Sequence, residues 1–151
     1  MQDIQLVYLS RATSYVDRAE LCSIADDSAR RNRKNGITGA LIYCNGYFLQ
    51  VLEGPSDIVT ALYNKIGHDA RHCDVVLLRQ TFDFARLFPD WNMASLHEEH
   101  MMPDLVKRAV DFVNTVGAAA DPILTPESRE LLAEIRASLA AETQPRLEKA
   151  A

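Results

Sequence analysis

The sequence predicts an α+β fold in which helices cover a β-sheet and the elements follow the order βαββαβ. Two apolar, β-rich runs joined by Asn45-Gly46 predict a hairpin, because Asn-Gly is the two-residue turn whose positive φ angles suit both residues. A segment with helical spacing of apolar residues lies on each side of this hairpin. One more apolar run precedes the first helical segment, and another follows the second.

The first strand and the first helix are marked by their side-chain patterns. Alternation along the predicted strand Ile4–Leu9 puts Ile4, Leu6 and Tyr8 on one face and the residues between them on the other. After a polar loop, Asp17 followed by Glu20 resembles a capping box with Asp in the Ser/Thr role, so a helix begins there. Helical spacing continues to the stop signal at Asn35-Gly36, through Leu21, Ile24, Ala25, Ser28 and Ala29.

The hairpin strands, Ile37–Cys44 and Tyr47–Leu52, contain one polar residue that needs an explanation. On the second strand Gln50 shares its face with apolar side chains, and the opposite face is apolar too. A strand of this kind is expected to be covered on both sides. Leaving the Gln50 amide unpaired there would cost roughly 1–3 kcal/mol, so protein or ligand must bond it.

A second helix, a fourth strand and a short fifth strand follow the hairpin. Gly54-Pro55-Ser56-Asp57 opens the helix, and its apolar stripe is Ile58, Val59, Leu62, Tyr63 and Ile66. Val75–Phe82 is the fourth strand, and Trp91–Leu96 is a candidate edge strand. This order is the ferredoxin-like plan, here with a mixed sheet. Tyr8 and Gln50 would then lie on neighbouring central strands, under the gap between the helices.

Two amphipathic helices are predicted after the sandwich, and we expect them to pack on the open face of the sheet. Their apolar residues are Leu105, Val106, Ala109, Val110 and Val113 in the first, and Leu131, Leu132, Ile135 and Leu139 in the second. The expected organisation is a sandwich domain over residues 1–97, a helical extension over 98–141 that includes a linker at 118–124, and a flexible tail over 142–151. The same apolar stripes could also form a homo-oligomer.

Composition and charge exclude several classes of protein. The chain has 151 residues, 48% of them hydrophobic, and a net charge of -5, which does not favour nucleic-acid binding. Neither a signal peptide nor an apolar run of the ~20 residues that span a membrane is visible. Three cysteines that lie far apart predict free, mostly buried thiols in a reducing cytoplasm. The basic residues Arg30, Arg31, Arg33 and Lys34 are interpreted as a solvated helix end.

The sequence contains no motif that predicts catalysis or a metal site. GxGxxG, P-loop and HExxH patterns are absent. His68 and His72 form a lone pair without further ligands, and His97-Glu98-Glu99-His100 is interpreted as a solvated loop. The residues alone therefore predict a polar spot at Tyr8 and Gln50 within an apolar cleft, in which either residue could also be purely structural.

A set of dispersed segments resembles the BLUF family of flavin-binding blue-light sensors. The segments are LVYLSRA, RNRKNGITGALIY, YFLQVLEG, DARH and FPDWNM, in this order. The resemblance implies a photoactive set of Tyr8, Gln50, Trp91 and Met93. Tyr8 would donate an electron and then a proton to the excited flavin, and Gln50 would rotate or tautomerise between Tyr8 and the flavin N5/O4 edge. Trp91 and Met93 match a Trp-x-Met pair whose positions or hydrogen bonds change with the light state.

The resemblance also implies which residues hold the cofactor. Asn32 would bond the ring carbonyls, and Ile24 and Ile66 would sandwich the ring. Lys65 and Asp69 would approach its polar edge or the ribityl chain, and Arg71 and His72 match the Arg-His that follows the second helix in the family. Arg31 departs from the family pattern, in which Asn or His can precede the asparagine. FAD is the implied cofactor, although FMN and riboflavin fit the same pocket. The implied cofactor-binding residues are Tyr8, Ile24, Asn32, Gln50, Lys65, Ile66, Asp69, Arg71 and His72, with Ser10 close by.

The function implied by the resemblance is that of a short, stand-alone BLUF photoreceptor that is not an enzyme and signals to a separate protein partner. Two alternatives stay open from the residues. One is a small hydrolase of ferredoxin-like fold, which would need a nucleophile or a phosphate loop. The other is a flavin-free interaction or regulatory module that kept the fold and lost the photochemistry.

Overall fold

The structure is a computed structural model that describes residues 2–82, 84–118 and 126–142. Its first part contains five strands and two helices, and a short 3-10 helix and two further helices follow. The elements are β1 (Asp3–Ala12), α1 (Arg18–Asn35), β2 (Thr38–Cys44), β3 (Tyr47–Pro55), α2 (Ser56–Ile66), β4 (His72–Thr81), β5 (Ala94–His97), a 3-10 helix (Glu98–His100), α3 (Pro103–Ala118) and α4 (Pro126–Glu142).

The five strands form one mixed sheet in the order β4-β1-β3-β2-β5. All neighbours are antiparallel except β2 and β5, which run parallel. The ferredoxin-like prediction and the fifth, edge strand are therefore confirmed. β1 and β3 are neighbouring inner strands of this sheet, as predicted for the strands that carry Tyr8 and Gln50.

Local signals in the sequence place the turns and helix ends. The Asp17 side chain accepts a hydrogen bond from the Glu20 backbone N–H at 2.8 Å, which caps α1. Gly36 ends the helix in the left-handed region, with φ of 71°. At the hairpin turn Asn45 and Gly46 have φ of 52° and 79°, as the two-residue turn demands.

The sheet carries a hydrophobic core on each face. Apolar residues of α1 and α2 pack on one face together with Ile4, Leu6, Phe48 and Leu52. The other face is covered by α3 and α4, as predicted, through Leu105, Ala109, Phe112, Leu131, Leu132, Ile135 and Leu139. The apolar stripes of both helices are thus used within the chain, and a homo-oligomer stays a prediction.

Several boundaries and environments differ from prediction. β4 begins at His72 rather than Val75, and β5 begins at Ala94 rather than Trp91, because the residues before Ala94 follow an irregular path. His97 is not in a solvated loop: its Nε2 donates to the Val16 carbonyl at 2.9 Å, and its side chain is buried. Cys44 is buried but Cys73 is exposed, because β4 is an edge strand.

Two predictions lie outside the described residues. These are most of the linker at 118–124 and nearly all of the tail at 142–151. Among the described helices, none is both long enough and apolar enough to span a membrane.

Candidate functional site

A cavity of about 780 Å³ lies between α1, α2 and the sheet. Its floor comes from the central strands and its two walls come from the helices. All nine residues expected to bind a cofactor line it: Tyr8, Ile24, Asn32, Gln50, Lys65, Ile66, Asp69, Arg71 and His72. The structure therefore brings the whole set together, and their binding role stays a prediction.

Tyr8 and Gln50 are directly hydrogen-bonded on the floor of the cavity. They face each other in the β1–β3 register, and the Tyr8 hydroxyl donates to Gln50 Oε1. Only 1% of Tyr8 and 6% of Gln50 is exposed. Burial raises the pKa of the Tyr8 hydroxyl, and nearby Tyr63 and Asp69 raise it further. Tyr8 is therefore a neutral donor at ordinary pH.

The Gln50 amide has a second partner, Met93. Gln50 Nε2 donates to Met93 Sδ at 3.6 Å, a weak bond because a thioether is a weak acceptor. An amide nitrogen carries two hydrogens, so one N–H stays available to a ligand in the cavity. Tyr8 and Met93 are thus two hydrogen-bond partners of this buried amide.

Asn32 supplies a second amide at the cavity, and a backbone bond holds it in place. Its Nδ2 donates to the Asn92 carbonyl oxygen at 2.9 Å, and its side chain is buried. That bond leaves the side-chain carbonyl oxygen of Asn32, Oδ1, as an acceptor for a ligand. Asn92 in turn donates from Nδ2 to the Ile37 carbonyl at 2.9 Å, while its Oδ1 has no hydrogen-bond partner within the described part of the chain.

The walls of the cavity are aliphatic and face each other. Ile24 on α1 and Ile66 on α2 are partly buried and pack against the same core as the floor. Leu41, Phe48, Ile58 and Leu62 add further apolar lining. A flat, apolar ring with polar atoms at its edge fits between such walls, because pockets for cofactors combine apolar surfaces with a few placed polar groups.

His72 fixes the end of the cavity near the start of β4. Its Nε2 lies 2.7 Å from the Ile66 carbonyl and its Nδ1 lies 2.7 Å from Ser10 Oγ. Because a carbonyl can only accept, Nε2 carries the donated hydrogen, and a neutral ring then accepts from Ser10 at Nδ1. His72 therefore ties α2 to β1, through the Ile66 carbonyl and the Ser10 hydroxyl.

The rim of the cavity is charged. Arg71 pairs with Asp69 through Nε at 3.0 Å and through Nη2, and the Arg71 guanidinium lowers the pKa of Asp69 to about 2. Arg31 and Lys65 also line the cavity. Neither has a carboxylate partner among the described residues, so both are available to an anionic group.

Two of the four photoactive candidates, Met93 and Trp91, do not line the cavity. Met93 lies in the core on the cavity side of the sheet and contacts Gln50 there. Trp91 lies on the other face of the sheet. It is 5% exposed and packs in the opposite core, against α3 and α4. Among the described residues, no three metal-ligating side chains converge. Sequence reasoning did not assign a role to Asn92, although it lies between Trp91 and Met93 in the quoted FPDWNM segment.

Comparisons with known proteins point to one family. A family model for BLUF, sensors of blue-light using FAD, matches residues 4–94. The chain is 43% identical over 95 residues to the photoactivated adenylate cyclase subunit beta of Euglena longa, which covers 62% of this chain and 11% of that protein. It is 47% identical over 75 residues to the subunit alpha of Euglena gracilis, over 50% of this chain and 7% of that protein. The chain thus spans about a tenth of these relatives.

Solved structures give the same answer for the fold. The dark-state structure of BlrB, a BLUF protein, has a TM-score of 0.71 and 30% identity, covering 91% of this chain and 98% of that chain. Klebsiella pneumoniae BlrP1 in a manganese and cyclic-diGMP complex has a TM-score of 0.65 and 27% identity, over 89% of this chain and 33% of that chain.

Proposed function

Because this chain belongs to the BLUF family of blue-light sensors that use FAD, we propose that it is a photoreceptor whose switch is the Tyr8–Gln50 hydrogen bond. The observation that carries this proposal is the bonded series from the Tyr8 hydroxyl through the Gln50 amide to Met93 Sδ. Tyr8 and Gln50 lie on the floor of the cavity, and Met93 lies in the core on the same face of the sheet.

The residues present fit a flavin. Ile24 and Ile66 would supply the apolar surfaces for the ring. The side-chain oxygen of Asn32, Oδ1, and the second N–H of Gln50 would supply polar partners for its edge. Arg31 and Lys65 supply positive charge for a phosphate-bearing tail. FAD is therefore the proposed cofactor. FMN also carries a phosphate group for these two side chains, and riboflavin carries none.

The photochemistry divides between the cofactor and two side chains. A bound flavin would supply blue-light absorption and an excited state that accepts an electron. Tyr8 is the proposed electron donor because it lies on the cavity floor, and its hydroxyl proton has a path along the existing bond to Gln50 Oε1. Burial keeps that proton on Tyr8 until light acts, because burial disfavours the phenolate.

Gln50 is the proposed bistable element. Its amide can present either the oxygen or the NH2 group to Tyr8, by rotation or by tautomerisation, and each arrangement satisfies a different set of bonds. In the structure the oxygen faces Tyr8 and the NH2 faces Met93. Light would shift the population between the two arrangements, and a partner would read the shift.

We propose that the signal leaves through the far side of the sheet. Gln50 lies on β3, and β3 is buried between the cavity on one face and α3 and α4 on the other. Residues 1–97 would then act as the sensor and residues 98–141 as the extension that contacts a separate signalling partner. The chain's own chemistry would be a switch and not a turnover.

An absorption spectrum tests the proposal. Purified protein should carry a flavin, and blue light should move its absorption slightly to the red, with full return in the dark. Bleaching would point instead to flavin reduction or a covalent adduct. Protein that binds no added FAD, FMN or riboflavin would overturn the photoreceptor proposal and leave the flavin-free interaction module.

A further inference from the structure

Glu53 has a buried carboxylate and lies on β3, the strand that also carries Gln50. Its exposed fraction is 0%, although it has no cationic partner among the described residues' ion pairs. A buried carboxylate is costly unless hydrogen bonds compensate for the water it loses. Its partners therefore indicate what it is for.

Three N–H groups compensate Glu53, and two of them come from the backbone of one loop. Glu53 Oε2 accepts from Leu87 N at 2.9 Å, and Oε1 accepts from Phe88 N at 2.9 Å. Oε2 also accepts from Gln5 Nε2 on β1 at 2.8 Å. The carboxylate thus uses both of its oxygens to hold the segment between β4 and β5.

The segment held by Glu53 is the one that leads to the switch. It passes from Leu87 and Phe88 to Trp91 and then to Met93, whose sulfur bonds Gln50. Gln50 and Glu53 both lie on β3. The segment from Leu87 to Met93 is therefore bonded to this strand at two points, to Glu53 at its start and to Gln50 at its end. Phe88 is fully buried, so the anchor point is also packed.

We propose that Glu53 is a positioning residue that clamps this loop and thereby keeps Met93 against Gln50. The clamp acts through two backbone N–H groups and needs two acceptor oxygens. It rests on the proposed function only for its effect on the switch, because the clamp itself is a property of the fold. Releasing it would leave the Gln50 amide less confined and lower the barrier between its two arrangements.

Glu53→Gln tests the clamp with almost no change in shape. The amide has one acceptor oxygen and one NH2 group, so a donor must face one of the two loop N–H groups. One ionic hydrogen bond is lost, and the population of the released loop should rise roughly tenfold, the factor that corresponds to about 1.4 kcal/mol. Gln5→Leu is the matched control, because it removes the third donor in the same cluster and leaves both loop bonds intact.

Trp91 reports on the loop directly, because it is the single tryptophan of the chain. In the dark, Glu53→Gln should make Trp91 fluorescence more accessible to acrylamide, and Gln5→Leu should leave it as in the wild type. With flavin bound, Glu53→Gln should speed the dark recovery of the red-shifted state, and Gln5→Leu should not. Unchanged quenching in Glu53→Gln, or equal changes in both variants, would overturn the clamp.

A measurement on the wild type covers the case in which Glu53→Gln does not fold. Backbone amide exchange of Leu87 and Phe88, followed by NMR, should be as slow as that of the β1–β3 ladder. Exchange as fast as that of an exposed loop would overturn the proposal. If the wild type shows no photocycle while these two amides are protected, the proposed function fails and the clamp stands.

Discussion

Trp91 and Met93 are two residues apart in the chain, yet their side chains pack on opposite faces of the sheet. Met93 is 2% exposed and lies in the core beneath α1 and α2, with its sulfur at the Gln50 amide. Trp91 is buried on the side of α3 and α4. Their backbone crosses the sheet edge here, anchored by the bond from Gly39 N to the Trp91 carbonyl at 3.0 Å. One short segment therefore touches both the switch and the helices that cover the far face.

This placement predicts different effects for the two side chains. Met93→Leu keeps the volume, which costs less than about 1.5 kcal/mol in a core, but it removes the sulfur acceptor from Gln50. We expect a red-shifted state that recovers faster in the dark. Trp91→Phe should leave the recovery rate closer to that of the wild type, because Trp91 packs on the other face of the sheet and the acceptor of the Gln50 amide is Met93. Time-resolved absorption after a blue pulse measures both, and a larger effect from Trp91→Phe would contradict the arrangement.

Tyr8→Phe removes the hydroxyl that bonds Gln50 Oε1. The variant should keep its bound flavin, because the apolar walls are untouched, and should lose the red-shifted state. Leaving the Gln50 oxygen unpaired should lower the free energy of unfolding by about 1–3 kcal/mol, measurable by urea titration.

Tyr63→Phe is the control for that variant. The Tyr63 ring packs edge-on against Tyr8 with centroids 5.2 Å apart, so the substitution removes a neighbouring hydroxyl and leaves the Tyr8–Gln50 bond in place. Its photocycle should survive. A stable red-shifted state in Tyr8→Phe would show that Tyr8 is not the donor.

The switch should tolerate alkaline solution. An unperturbed tyrosine ionises with a pKa of ~10, and burial holds the pKa of Tyr8 above that value. The stability that this proton contributes is therefore fully present below pH ~10 and is lost as the pH rises further. Photocycle amplitude should stay constant up to that pH. In phenolate titrations, wild type and Tyr8→Phe should show the same absorbance rise until the protein unfolds, and an earlier extra rise in the wild type would contradict it.

The rim charges predict a preference among flavins. Replacing Arg31 and Lys65 by Gln should weaken FAD and FMN binding by roughly three- to tenfold, as expected for exposed ionic contacts, and should leave riboflavin binding unchanged. Fluorescence titration of the apoprotein at low and high salt measures this difference. Arg18→Gln, at the start of α1 and outside the cavity lining, is the control for net charge. An equal loss for riboflavin would place the two side chains at the ring rather than at the phosphate.

Periodicity was enough to predict the central pair. Alternation along β1 and β3 puts Tyr8 and Gln50 on the face that α1 and α2 cover. The order βαββαβ makes the two strands neighbours. The bond from Asp17 to the Glu20 backbone likewise follows from local spacing. Such features depend on a few consecutive residues and on one rule of topology, so the sequence contains them.

The environment of Trp91 and the role of Glu53 could not be predicted in the same way. Trp91 lies in an irregular segment, where no period relates sequence position to a face. Glu53 is bonded by backbone N–H groups of Leu87 and Phe88, and a backbone donor leaves no trace in residue type. The prediction that His97 lies in a solvated loop is wrong for a related reason, because its hydrogen-bond partner is the backbone carbonyl of Val16.

The position of β1 in the sheet also determines at which point of synthesis the sheet can be completed. β1 is made first, but its register places Leu9 opposite Leu49 and Gln5 opposite Thr81. Contacts so distant in sequence form slowly, because a long chain segment must be ordered before they form. The nascent Tyr8 strand therefore has one open edge until β4 leaves the ribosome.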